Sequence, residues 1–195
     1  MRIAILAESD YDTPILQELT QKVAATIQPP IDVEFLAAYE TGGTVIPKME
    51  VASVLFFEGA TPADCAVFGI DLDRIPSRRK TVSKFASTKA QEGISVAPLF
   101  ADPHIEEILF ADGGHAIKRV LIGLSPETAL PYAELEPKSR LLKLIRDFGP
   151  RELSITTKDV YRSIASEMDV DQLARNSANF RRFKDRLTRI LQPQP

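Results

Sequence analysis

The stretch CAVFGIDLDRIPSRRK, residues 65–80, decides how this chain is read. An apolar run ends in Asp71 and Asp73, two like charges one residue apart, and Arg78, Arg79 and Lys80 follow directly. Such a run, DCAVFGIDL over 64–72, predicts a strand covered on both faces, and SRRKTVSKFASTKAQE over 77–92 predicts the helix after it. On the N-terminal side, RIAILAE (2–8) repeats the strand signal. DTPILQELTQKVAATI (12–27) places Ile15, Leu16, Leu19, Val23 and Ile27 at helical spacing, with Asp12 or Thr13 able to cap it and Pro14 in its first turn. DVEFLAAYE (32–40) reads as a further strand, residues 47–59 as a helix, and GISVAPLFAD (93–102) as the last strand. Strands alternating with helices predict an α/β fold with a mainly parallel sheet of about four strands.

After Asp102 the pattern turns wholly helical. DPHIEEILFAD (102–112) offers an N-cap, then proline, then acids in the first turn. GHAIKRVLI, SRLLKLIRDFG, TKDVYRSIASEM and SANFRRFKDRLTRIL continue it, with a proline-punctuated loop at 126–137. The expected organisation is an α/β domain over 1–112 and a helical C-terminal extension over 113–195, packed on it as one compact unit.

The totals bound the function. The 195 residues are 44% hydrophobic and 26% charged, with a net charge of -3, so nothing draws the whole chain to nucleic acid or to a membrane surface. Any polyanion site has to be a local patch. The apolar start is too short for a signal peptide and runs into acids, and no run approaches the roughly 18–20 apolar residues of a bilayer span. Cys65, the only cysteine, rules out an internal disulfide or a cysteine-rich zinc site and reads as a buried, inert thiol. A cytoplasmic protein is expected.

In open parallel sheets, ligands bind beyond the carboxyl ends of the strands. Acids stand there in this chain: Glu8 after the first strand, Asp71 and Asp73 at the end of the third predicted strand, and Asp102 after the last. Two bare carboxylates about 4 Å apart repel by roughly 4 kcal/mol at an effective dielectric near 20, and a divalent cation turns that repulsion into binding. Neighbouring strands lie about 4.8 Å apart, a span that one cation with ligands at about 2.1 Å can bridge. On an extended strand Asp71 and Asp73 share a face, with Leu72 turned to the core. Glu8, Asp71 and Asp73 are therefore the candidate metal ligands and catalytic groups. Asp102 and Glu106, at i and i+4, either add a second metal position or simply complement a helix N-terminus. His104 reads as a solvated loop histidine. Two cationic features suit a phosphate backbone: Arg78, Arg79, Lys80 and Lys84 at the start of one helix, and the stripe Arg182, Arg186 and Arg189 on the last. Both also suit a solvated helix face.

The order of these motifs resembles the Toprim fold of topoisomerases, bacterial primases and small nucleases. That family places a glutamate just after its first strand, usually as E-G-x-x-D, and a D-x-D after a later one. AESDYDTPIL matches through Glu8 and Asp12, with Ser9 in place of the glycine, and FGIDLD matches through Asp71 and Asp73. A narrower likeness is to uncharacterised bacterial Toprim-related proteins, akin to the Toprim domains of overcoming-lysogenization-defect nucleases and to phage-defence genes. Their P-x-x-E-x-W-L-L-A-D element is similar to DPHIEEILFAD, where Glu106 matches and Ile108 replaces the tryptophan, and their closing segment to DVDQLARNSANFRRFKDRL (169–187). The resemblance implies Mg²⁺- or Mn²⁺-dependent phosphodiester hydrolysis on nucleic acid, with an ATPase partner protein, in bacterial defence. A non-catalytic Toprim-like module acting with a partner is the alternative. Haloacid-dehalogenase phosphatases carry D-x-D after their first strand, and receiver domains need a downstream K-P element, so neither pattern fits.

Overall fold

The computed structural model describes residues 1–152 and 154–192. Five parallel strand segments form one sheet: β1 (Arg2–Ala7), β2 (Glu34–Phe35), β3 (Tyr39–Glu40), β4 (Cys65–Asp71) and β5 (Val96–Ala101). Their order is β2-β1-β4-β5, with β3 also pairing β1. The strand expected over 32–40 is split in two along one side of β1: Arg2 opposes Glu34, and Leu6 opposes Tyr39. β1 and β4 are nearly continuous apolar runs because both their faces are covered, and their central residues are fully buried.

The helices are α1 (Asp12–Ala25), α2 (Met49–Phe57), α3 (Pro76–Gln91), α4 (Glu106–Phe110), α5 (His115–Val120), α6 (Pro126–Ala129), α7 (Pro137–Phe148), α8 (Thr157–Glu167), α9 (Val170–Asn176) and α10 (Ala178–Leu191). One sheet face, with Ala4, Leu6, Ala66, Phe68 and Ile70, packs against Phe56 of α2 and Val82 and Phe85 of α3. The other, with Ile3, Ile5, Val67 and Leu99, packs against Leu16, Leu19 and Val23 of α1 and Phe180, Phe183 and Leu187 of α10. The fold is thus a mainly parallel α/β sheet with flanking helices and a helical C-terminal part, and that part supplies much of the second helical layer.

Local chemistry fixes where the C-terminal helices start. Thr156 and Asp159 form a reciprocal capping box, with the Asp159 amide donating to Thr156 Oγ1 at 3.2 Å and the Thr156 amide to Asp159 Oδ2 at 2.9 Å. Asp169 and Ser177 cap α9 and α10 more simply, their side-chain oxygens accepting backbone amides of the first turn. Close approach of α1 to β4 rests on Gly69, where a Cβ would lie 2.7 Å from Leu16 Cδ1. Cys65 is buried, and that burial pushes its thiol up to about 12, an inert state.

Among the described residues no helix is long and apolar enough to cross a membrane.

Because α10 shares its core with the sheet, the chain is predicted to melt as one unit. Phe180→Ala should cost about 3–5 kcal/mol and leave a single transition in thermal denaturation. Two separated transitions would contradict the shared core.

Candidate metal centre

β1, β4 and β5 are adjacent and parallel, so their carboxyl ends lie side by side. The ladder between β4 and β5 runs past both strands: the Leu72 amide donates to Ala101 O at 2.8 Å and the Asp73 amide to Pro103 O at 3.1 Å. This tie explains one departure from the sequence reading. Residues 102–104 are held beside the exit of β4, and the helix expected from Asp102 begins only at Glu106. Asp102 caps nothing; its Oδ1 accepts the Arg74 amide at 3.0 Å.

A second departure concerns the acidic pair. Asp73 and Arg74 adopt φ of 46° and 58°, the left-handed region, so the chain turns sharply after Asp71 and does not continue extended. Sharing a strand face therefore does not bring the two carboxylates together; the turn does. Leu72 between them is buried as expected.

His104 is not left to solvent. Its Nδ1 lies 3.2 Å from Asp71 Oδ2 and 3.3 Å from Asp73 Oδ1. Ligand atoms of Asp71, Asp73 and His104 all fall within 4.8 Å of one another. Asp71 ends β4 opposite Ala101, and His104 follows three residues beyond Ala101 on the neighbouring parallel strand's exit; that closeness of two strand ends was the signal in the sequence. Arg78, in the first turn of α3, donates from Nη1 to the Asp71 carbonyl at 2.9 Å and also binds the Asp73 carboxylate.

A wider ring of acids surrounds these three. Glu8 stands outside the tight set but within electrostatic reach of Asp73, Arg78 and His104. Its Oε1 is buried without a hydrogen-bond partner. Asp12 is 7% exposed and accepts the Ser9 amide at 2.9 Å. Glu106 is 3% exposed and accepts the Tyr161 hydroxyl at 3.3 Å. Asp102 and Glu106 thus do not share a helix face: one turns to the β4 exit loop, the other inward toward Asp12.

The electrostatics follow from burial and crowding. Burial, then the charges of Asp12, Glu8, Glu106 and Asp73, pushes the Asp71 carboxyl up to about 8. Burial and Glu106 push Asp12 up to about 6, against the Ser9 hydrogen bonds. Glu8 is raised by burial, which outweighs the opposing pull of the Val45 backbone. Burial and Glu106 also raise the Tyr161 hydroxyl well above the usual phenol range. These groups fit a divalent cation: an orphaned buried carboxylate oxygen, several acids that crowd one another, and oxygen and imidazole donors converging on one point.

The predicted cations are distributed to three places. Arg78 joins the acids. Arg79 lies over the Phe100 ring, 4.7 Å from its centre, and its Nη2 donates to Asn179 Oδ1 at 2.8 Å. It shares a cavity wall with Arg182, Arg186 and Arg189. Lys80 and Lys84 face the opposite way and line a cavity with Ile46, Met49 and Phe85 beside α2.

No protein-family model matches the chain, and no curated protein sequence does. Among solved structures it is similar to the C-terminal region of the OLD protein of Xanthomonas campestris pv. campestris, known from iodine-phased and mercury-phased forms. The two give a TM-score of 0.51 each, at 19% and 18% identity, over 97% of this chain and 95% of that one. At this identity the likeness concerns the fold, and it extends through the helical C-terminal part.

The crowded acids predict a pH dependence. With its folded value raised from 3.8 to about 8, Asp71 holds a proton in the folded state that the unfolded chain has lost between those pH values. Stability from this group is therefore complete below about pH 3.8 and disappears as pH rises through 8. In a chelator, Asp71→Asn should raise Tm at pH 8 by about 2–4 °C and flatten its decline from pH 5.5 to 8.5. A variant that melts below the wild type throughout that range would contradict the crowding.

Proposed function

We propose that this chain carries a divalent-metal-dependent phosphodiester hydrolase site acting on nucleic acid. The convergence of Asp71, Asp73 and His104 within 4.8 Å, backed by the unpartnered Oε1 of Glu8, carries the reading. The fold likeness to the OLD protein's C-terminal region supports it. A bound divalent ion supplies Lewis-acid polarisation of a phosphoryl oxygen and a more acidic water.

Asp71 and Asp73 hold that ion. His104, on the neighbouring strand end, adds a nitrogen donor, a combination that suits Mn²⁺ better than Mg²⁺, which prefers an all-oxygen shell. Glu8 either completes the ligand set or accepts the proton of the attacking water; burial raises its basicity toward that task. Arg78 fixes the Asp73 carboxylate and anchors the carbonyl of Asp71, so both acids are oriented before anything binds. Asp12 and Glu106, buried behind Asp71, keep its environment negative.

One observation favours a second reading, a non-catalytic module working with a partner protein. The His104 Nδ1 lies within hydrogen-bond reach of Asp71 Oδ2 and close to Asp73 Oδ1, so its one N–H can partner a carboxylate there without a cation. Calorimetry and cleavage together separate the two. The hydrolase reading predicts Mn²⁺ heat that Asp71→Asn abolishes, Mn²⁺-dependent cleavage of plasmid or single-stranded substrate, and a loss of about 10²–10⁴ in rate for Glu8→Gln. Metal heat with no cleavage leaves the module; absence of both removes the metal centre as well.

A further inference from the structure

β5 is the last strand of the sheet, and among the described residues no strand pairs its outer side. The carbonyls of Ser95 and Ala101 bond inward to the Ala66 and Leu72 amides of the β4 segment. Alternation then turns the backbone of Val96, Pro98 and Phe100 outward. Pro98 has no N–H to offer, which is tolerable only on such a free edge. α3 and α10 cover opposite sheet faces and flank this edge. Two cavities of about 340 and 320 Å³ lie along it and share Arg186 and Arg189 as walls. Arg79, Ser83, Pro98, Phe100 and Arg182 complete the first.

Four guanidinium groups thus meet in one groove whose lining contains no carboxylate. Among the described residues none of the four makes a salt bridge, and their hydrogen bonds go to neutral groups. Arg79 binds Asn179; Arg186 donates to the Ala86 carbonyl at 3.2 Å and Arg189 to the Asp185 carbonyl at 3.2 Å. The clustering is felt: burial and the neighbouring Arg182 lower Arg79, and burial and Arg189 lower Arg186. Edge protection alone calls for a charge or two on the strand or beside it, not for four convergent arginines supplied by helices on both sides of the sheet.

The direction of the groove gives it meaning. It follows β5 from Ser95 to Phe100 and ends at Arg79. The preceding residue, Arg78, is already bonded to Asp71 and Asp73. Consecutive residues of one helical turn thus join the arginine groove to the acidic pocket.

We infer that the arginine groove along the free edge of β5 seats the sugar–phosphate backbone of a single-stranded nucleic acid and leads it to the acids beyond β4. A single strand is favoured because the cations stand on both walls of a slot whose floor is one strand edge. An extended backbone can enter it; a duplex, rigid and convex, reaches only the rim. Phe100, under the Arg79 guanidinium, adds an aromatic face at the exit. This inference rests on the proposed hydrolase reading for its destination but not for its binding step.

Fluorescence anisotropy on the full chain in chelator, where no metal-dependent cleavage proceeds, tests it with labelled dT20, rU20 and a 20-base-pair duplex. Wild type should bind at least one single strand about 10-fold or more tighter than the duplex, and dT20 against rU20 tells which sugar is preferred. Arg182 and Arg189 are exposed, so R182A/R189A should fold with unchanged Tm. It should lose about 10-fold in single-strand affinity and about 1.4 from the magnitude of the log–log salt slope, at about 0.7 per lost phosphate contact. Duplex binding equal to single-strand binding, or a double variant with wild-type affinity and slope, overturns the groove. Groove-dependent binding without Mn²⁺-dependent cleavage overturns the hydrolase reading alone.

Discussion

Repulsion among crowded, wholly or partly buried carboxylates governs the candidate site. The parallel arrangement of β1, β4 and β5 sets their C-terminal ends side by side, and Glu8, Asp12, Asp71, Asp73 and Glu106 gather around them. A folded chain tolerates such a cluster only by protonating it, by pairing it or by binding a cation. All three are visible in part. Asp71 is driven toward its neutral form, Asp73 is paired with Arg78, and Glu8 retains an oxygen with no partner. The residual imbalance is what makes the site a candidate for metal chemistry and not a polar plug.

The sharp turn at Asp73 and Arg74 distributes everything that follows. It ends β4, swings the Asp73 carboxylate back beside Asp71, and starts α3 so that Arg78, Arg79 and Lys80 point in three directions. A run of cations that looks uniform in sequence is therefore three separate devices: an orienting group for the acids, a wall of the β5 groove, and a surface beside α2. The C-terminal helices matter for the same reason. α10 is both core, through Phe180, Phe183 and Leu187, and groove wall, through Arg182, Arg186 and Arg189.

Much of this was legible in the order of residues. Continuous apolar runs at 2–7 and 65–71 could only be doubly covered parallel strands, and helical spacing identified α1, α3 and α10 within a few residues. What escaped depended on contacts between distant segments. His104 looked like a loop residue because it follows Asp102 and Pro103 just past a strand, whereas its neighbours in space are Asp71 and Asp73. Asp102 looked like a helix cap, but the backbone tie from Asp73 to Pro103 holds it elsewhere. The expected second metal position at Asp102 and Glu106 depended on a helix that starts too late to align them. Arg79 and Arg182, about a hundred residues apart, share a cavity that no local pattern announces.

The central claim is that these carboxylates are arranged around a divalent cation. Anomalous diffraction from crystals grown with Mn²⁺ tests it most directly. A single strong peak bounded by the side chains of Asp71, Asp73 and His104, on the side facing Glu8, is the predicted result. The contradicting result is no peak there, with His104 still bridging the two aspartates at saturating Mn²⁺.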